Sequence, residues 1–244
     1  MGPSGEMDRT LDPGELKKAA AEWAATLVED GMVVGLGTGS TASLILEPLA
    51  ARIRQGLRIV GIPTSERTAE QARGLGIPLS TLADHARVDL TIDGADEVEI
   101  GTLNVIKGRG GALLREKIVA SASARLVIVA DESKLVDRLG RGAVPVEVVP
   151  FEWQSTARRI ESLGGSQALR LRPDGGAFVT DGGHYILDCA FGPISSAGSL
   201  DRELNGIVGV VEHGLFLGLT NQVGLSRAGG VEVLVRSRRT DQRA

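Results

Sequence analysis

The stretch "MVVGLGTGSTASLILEPLAARIRQ", residues 32–55, opens with an apolar run, turns through three glycines and three hydroxyls, and continues with apolar residues at helical spacing. It reads as a short buried strand, a tight turn and a helix that Pro48 bends or divides. The pattern recurs downstream. "LRIVGI" (57–62), "VDLTID" (88–93) and "RLVIVA" (125–130) read as further strands, with helices over about 65–75 and 111–123 between them. Upstream, Asp12-Pro13-Gly14-Glu15 reads as a helix start, with Asp at the N-cap, Pro at N1 and Glu at N3. That helix is expected to run to about Glu29 and to stop at Asp30-Gly31. Strands separated by such helices imply parallel βαβ units with right-handed crossovers. The fold class expected is α/β: a Rossmann-like open parallel sheet, binding ligands at the carboxyl ends of its strands.

The pattern changes near residue 140. "VPVEVV" (144–149) leads into a helix over 152–163. Short strands in "SQALRLR", "AFVT" and "HYILDCAF" follow among glycine turns, with another helix near 198–205. This reads as a second, smaller α+β domain spanning 140–215. Residues 1–139 form the larger domain, completed by 216–244, with strands at 215–219 and 231–235 returning to it. The basic tail "RSRRTDQRA" is expected to fray.

Composition removes several classes. Over 244 residues the apolar share is 42% and the charged share 24%, as in ordinary globular chains. A net charge of −4 gives no reason to expect nucleic acid or an anionic membrane as partner. No apolar run approaches the roughly 18 residues of a membrane span. "MGPSGEMDRT" lacks the apolar core of a signal peptide, and the single cysteine, Cys189, fits a reducing, cytoplasmic setting.

Four clusters fall at predicted strand ends. In "GLGTGST" (35–41), the backbone N–H groups, a helix start and the hydroxyls of Thr38, Ser40 and Thr41 suit a phosphate. The loop is neither a Walker A sequence nor GxGxxG. "TIDGADEVE" (91–99) crowds four acids into seven residues: a solvated turn, an improvised Mg²⁺ site, or the acids and bases of an enzyme. There Asp93 and Asp96 are expected to face one cavity, with Glu97 and Glu99 toward solvent. "IKGRGGALLREK" (106–117) joins Lys107 to a glycine loop and places Glu116 in the first turns of a helix, where it could equally serve only the helix dipole. Asp131-Glu132-Ser133-Lys134 follows the fourth strand. His85, His184 and His213 are scattered and read as surface or structural residues.

Read in order, "VGLGTGSTA", "IPTSERT", "DLTIDGADEVE", "IKGRGGALLREK", "VIVADESKLV", "PVEVVPF" and "GVVEHGLF" resemble type A ribose-5-phosphate isomerase, across about residues 15–219. The resemblance implies interconversion of ribose 5-phosphate and ribulose 5-phosphate without metal or cofactor. It also implies a ferredoxin- or ACT-like smaller domain and a homodimer or homotetramer. By the same resemblance, substrate contacts fall on Thr38, Gly39, Ser40 and Thr41; on Asp93, Gly94, Ala95 and Asp96; on Lys107, Gly108, Arg109 and Gly110; and on Lys134. Glu116 is the implied catalytic base. Isomerisation needs a base for a carbon-bound proton, a cation or N–H groups for enediolate oxygen, and a relay among substrate oxygens. Glu116, Lys107 and Asp93 are the candidates for these roles. "TDGGHYILDCAF" and "LTNQVGLSRAGG" depart from the family pattern. A non-catalytic sugar-phosphate sensor, a metal-assisted hydrolase and an acyl or CoA transferase are the rival readings. Which loop holds the phosphate, 35–41 or 107–111, stays open at this point.

Overall fold

A computed structural model describes residues 13–236. Helix α1 (Pro13–Thr26) precedes strand β1 (Val33–Leu36), a 3-10 turn (Ala42–Ile45) and helix α2 (Leu46–Arg54). Next come β2 (Val60–Pro63), α3 (Glu66–Gly74), β3 (Leu90–Gly94), β4 (Glu97–Glu99) and β5 (Val105–Ile106). Helix α4 (Leu113–Ser121), β6 (Leu126–Asp131), a 3-10 turn (Glu132–Lys134), β7 (Leu135–Val136) and β8 (Val144–Val148) follow. The chain continues through α5 (Trp153–Glu161), β9 (Ser166–Leu169), β10 (Tyr185–Ala190), α6 (Ala197–Asn205) and β11 (Val210–His213). It closes with β12 (Leu215–Phe216), β13 (Thr220–Arg227) and β14 (Gly230–Val235).

Six strands form the main sheet in the order β14-β13-β6-β3-β1-β2. Its pairings are parallel except at the β13–β14 edge. The central strands are buried on both faces, which is why β6 reads as an almost unbroken apolar run; β3 is interrupted by the buried Thr91 and Asp93. On one face α1 lays Ala20, Ala21, Ala24 and Ala25 against Val34, Leu36 and Val129. Four further strands, β11-β8-β10-β9, form an antiparallel sheet whose core is shared with α5 and α6. The α/β architecture with two domains is as expected.

A third sheet, β12-β5-β4-β7, was not foreseen. Successive side chains on a strand point to opposite faces. Accordingly Val105 and Phe216 pack with Leu126, Ile128 and Val223 of the main sheet. Their neighbours Ile106 and Leu215 pack with Val146 and Leu187 of the antiparallel sheet. This short slab therefore joins the two cores, and Asp96 and Lys107 flank its strands β4 and β5.

Several boundaries differ from expectation. The 40–55 segment divides into the 3-10 turn and α2 at Ile45/Leu46. Pro48 sits in the first turn of α2, where a helix leaves N–H groups unpaired and a missing one costs little. The second strand begins at Val60 rather than at residue 57, and α1 ends at Thr26. "AFVT" forms only an isolated bridge, Leu171 with Ala177. The strand at 215–216 pairs with β5; the ones that return to the main sheet are β13 and β14. The proposed Asp12 cap, the "MGPSGEMDRT" segment and the tail from residue 237 lie outside the described residues. Among those described, no helix is long and apolar enough to cross a membrane.

Gly35 shows how tightly the first strand is set. A Cβ there would lie 1.9 Å from Thr91 Oγ1 and 2.9 Å from Val119 Cγ1. Gly74, by contrast, ends α3 with open space around it. Gly35→Ala is expected to lower unfolding free energy by about 1–3 kcal/mol through overpacking. Gly74→Ala is expected to be neutral or to stabilise by about 0.4–1 kcal/mol. Urea denaturation of the two variants side by side checks the contrast, and equal midpoints would refute it.

Candidate active site

The site forms where β1, β3 and β6 end and β5 turns into α4. Asp93 is the fourth residue of β3 and is 1% exposed. Its Oδ1 accepts hydrogen bonds from Thr38 N at 3.1 Å and Gly94 N at 2.8 Å. Its Oδ2 lies 3.0 Å from Lys107 Nζ. That ammonium also donates to the Gly94 carbonyl at 2.6 Å and stands 3.3 Å from Glu116 Oε2. Lys107 and Glu116 are each 3% exposed. The Lys107 ammonium lies 5.7 Å from the centre of the Phe216 ring, a cation–π contact on the slab side.

Glu116 occupies the first turn of α4. Its Oε2 is buried, and its approach to Lys107 is an ion contact without hydrogen-bond alignment, which leaves this oxygen no hydrogen-bond partner among the described residues. Burial pushes the Glu116 carboxyl up to about 8, aided by Asp93 and opposed by Lys107. Burial likewise raises the Asp93 carboxyl, against the pull of Lys107 and the two N–H donors. Burial works to lower the Lys107 pKa, but Asp93 and Glu116 outweigh it and hold the ammonium above the ordinary lysine range.

Glu116 and Lys107 open onto a cleft of about 100 Å³. Thr38, Gly39, Ser40 and Thr41 line it, as do Gly94, Ala95 and Asp96, and Gly108, Arg109, Gly110 and Lys134. The structure thus brings every predicted site residue to one place. Asp93 alone is not part of the cleft wall; it sits behind Lys107. Both glycine loops border the same cleft. Gly37 is required for this approach, since a Cβ on it would fall 2.3 Å from Asp93 Oδ1.

Two expectations need correction. Glu97 does not point to solvent: it is 1% exposed, and its carboxylate accepts from the N–H groups of Gly140, Arg141 and Gly142. It fixes the turn after β7. Glu99 is half-buried and binds Thr102 and Asn104. The Thr38 hydroxyl is engaged within the protein. It meets Thr64 Oγ1 at 2.7 Å, Ser65 Oγ at 2.8 Å and Thr68 Oγ1 at 3.1 Å, in a hydroxyl knot tying the 35–41 loop to the start of α3. The "PTSERT" hydroxyls in that knot were not singled out in the sequence.

Lys17 of α1 also lines the cleft and was missed. Its signal was present. Lys17 lies three and four residues before the buried Ala20 and Ala21, on the inward face of the helix. Its neighbour Lys18 faces outward and reaches Glu22 at 3.9 Å. Among the described residues, Lys17 and Lys134 form no ion pair. No group of three or more His, Cys, Asp or Glu side chains there is arranged to hold a metal ion.

Two of the histidines, His184 and His213, are engaged within the protein. His184 Nδ1 lies 2.9 Å from Glu147 Oε1, and His213 is fully buried 3.4 Å from Asp201.

An open α/β sheet whose strand ends carry a buried acid–ammonium–acid cluster beside two glycine loops defines an acid–base site for a small anionic molecule. The comparisons with known proteins narrow this class. Residues 60–230 match the family model of ribose 5-phosphate isomerase A (phosphoriboisomerase A). A ribose-5-phosphate isomerase A from Gloeobacter violaceus is 60% identical, covering 93% of this chain and 99% of its own. The solved ribose 5-phosphate isomerase A of Methanocaldococcus jannaschii superposes with a TM-score of 0.88 at 42% identity, covering 92% of this chain and all of that one. A D-ribose-5-phosphate isomerase solved with phospho-erythronic acid superposes at 0.90, with 36% identity and 93% of this chain covered. The chain belongs to the ribose 5-phosphate isomerase A family.

The raised Glu116 carboxyl has a signature in stability. Its ordinary pKa is 4.5 and its folded value about 8, so the folded state holds the proton more tightly. The stabilisation is fully present below pH 4.5 and is lost as pH rises through about 8. Unfolding free energies of the parent and Glu116→Gln, measured from pH 5 to 9, are expected to diverge. The parent should lose stability relative to the variant by up to about 1.4 kcal/mol per pH unit. Parallel curves would show that Glu116 titrates normally.

Proposed function

We infer that this chain interconverts D-ribose 5-phosphate and D-ribulose 5-phosphate, with Glu116 as the base. The observation that carries the assignment is the Lys107 ammonium held between Asp93 and Glu116 at the cleft wall. In the aldose direction Glu116 takes the proton from C2. The C2–H electrons form the C1–C2 double bond, and the C1 carbonyl oxygen becomes negative. Lys107 and the loop N–H groups stabilise that oxygen. Protonation of the C1 oxygen and loss of the C2 hydroxyl proton move the carbonyl to C2, while Glu116 returns its proton to C1.

The raised pKa supports this role. A carboxylate with a pKa raised to about 8 is a stronger base toward carbon than one at 4.5. Asp93 is enclosed, so its part is to aim and charge-balance Lys107. Asp96, with 18% of its side chain exposed at the cleft, is the better relay among substrate oxygens. The phosphate goes to the Gly39–Thr41 loop between Lys17 and Lys134, because among the described residues those ammoniums form no ion pair, whereas Lys107 is already engaged with Asp93, Glu116 and the Gly94 carbonyl. We further propose a cytoplasmic homodimer or homotetramer. Phe151 and Val208, each 82% exposed near the β8–β11 edge, supply apolar surface for a second copy.

Purified protein mixed with ribose 5-phosphate and a chelator is expected to form ketose at the full rate. Under the same conditions Glu116→Gln should lower kcat at least about a hundredfold, with KM changed little, as for a lost general base. Lys17→Ala should do the reverse, raising KM with kcat nearly kept. Unchanged turnover in Glu116→Gln would remove Glu116 from the mechanism. Absence of ketose from the parent would leave a binding protein rather than an isomerase.

A further inference from the structure

Arg170 lies just past β9 in the smaller domain, outside the cleft, yet it is bonded to the active-site loop. Its Nη1 donates to the carbonyls of Gly108 at 2.8 Å and Arg109 at 3.1 Å. The rest of the guanidinium is held by Asp188 of β10: Nε donates to Oδ2 at 2.9 Å, and Nη2 pairs with Oδ1. Phe178 lies under the same guanidinium, 5.9 Å from ring centre to Cζ. A Cβ on Gly111 would fall 2.4 Å from the Phe178 ring. The "TDGGHYILDCAF" region that departs from the family pattern thus supplies, at Asp188, one half of a clamp on the loop.

The clamp sets peptide orientation. The peptides are trans, so each N–H points opposite to the carbonyl of its own plane. Turning the Gly108 carbonyl to Arg170 directs the Arg109 N–H away from it, and that N–H meets Asp96 Oδ2 at 3.0 Å. Turning the Arg109 carbonyl to Arg170 likewise directs the Gly110 N–H away, and Gly110 lines the cleft. Gly108, at φ +110°, supplies the backbone freedom for the first of these planes. We propose that Arg170, locked by Asp188, is a positioning residue for isomerisation: it rotates the loop so that the Gly110 N–H is presented to an anionic substrate oxygen and Arg109 N–H holds Asp96. A planar fork on a bidentate carboxylate suits this task, because Asp188 fixes two of its nitrogens while the third reaches both carbonyls.

This inference rests on the reading of the cleft as a sugar-phosphate site, and its test separates the two. Arg170→Gln, Arg170→Lys and Asp188→Asn are compared with the parent, using ribose 5-phosphate as substrate and phospho-erythronic acid as inhibitor. In Arg170→Gln, KM and the inhibition constant are both expected to rise about 10- to 100-fold, the scale of an ångström-level misplacement. The pH dependence of kcat should be unchanged, because Glu116 and Lys107 are untouched. Lysine at 170 should not restore binding, and Asp188→Asn should weaken it in the same direction. Amide exchange at Arg109 should speed up in Arg170→Gln. Should that variant fold poorly, Asp188→Asn carries the decision by the same constants. Parental KM and inhibition constant in a folded variant would overturn the clamp. A parent that forms no ketose would instead overturn the isomerase reading, while inhibitor affinities of parent and variants would still judge the clamp.

Discussion

The Lys107 ammonium, enclosed with two carboxylates, is the constraint around which the molecule is arranged. A charge buried alone costs several kcal/mol, and partners offset that cost only with good geometry. Here the geometry is supplied by backbone. Asp93 is held by two N–H groups, and Lys107 spends one donor on the Gly94 carbonyl. Each contact fixes one strand end against another: β3 through Asp93 and Gly94, β5 through Lys107, the β1 loop through Thr38. The glycines at 35 and 37 follow from this, because a side chain at either would strike β3.

The slab β12-β5-β4-β7 gives these ends a rigid support. Its two faces belong to different cores, so neither domain can shift without disturbing it. Lys107 leaves β5 on this slab, and its ammonium lies against the Phe216 ring of β12. Lys117 stands 5.0 Å from the same ring, but its charge is answered by Glu212 at 2.6 Å. Two ammoniums thus share one aromatic residue, each with its own carboxylate, and only Lys107 is turned to the cleft.

Much of the main sheet was legible because strands buried on both faces favour long apolar runs, and "VVGL" and "RLVIVA" carry such runs, while "DLTID" is broken by Thr91 and the site acid Asp93. The site residues were legible as strings at strand ends. What stayed hidden was set by tertiary pairing. Strands as short as β5 and β12, two residues each, carry no periodicity to read. Glu97 looks identical in sequence to a solvated acid, and only the 140–142 turn folding back onto it makes it a buried acceptor. The hydroxyl content at Thr38 was visible, whereas its knot with Thr64, Ser65 and Thr68 was not. Lys17 alone was recoverable, from the helical register of the alanines that follow it.

The cations of the cleft divide by what they are already bonded to. Lys107 is buried and already engaged with Asp93, Glu116 and the Gly94 carbonyl, so its charge is held at a fixed position at the cleft wall. Lys17 and Lys134 are half-buried and carry no ion pair among the described residues, so they offer charge to a group that arrives already ionised, as a phosphate does. The same desolvation acts on Lys107 and raises the Glu116 carboxyl, so one burial sets the proton affinities of both groups. Opening the cluster to water would lower the basicity of Glu116 and screen Lys107 together, which is why the acids lie behind the strand ends and not on the loops that meet the solvent.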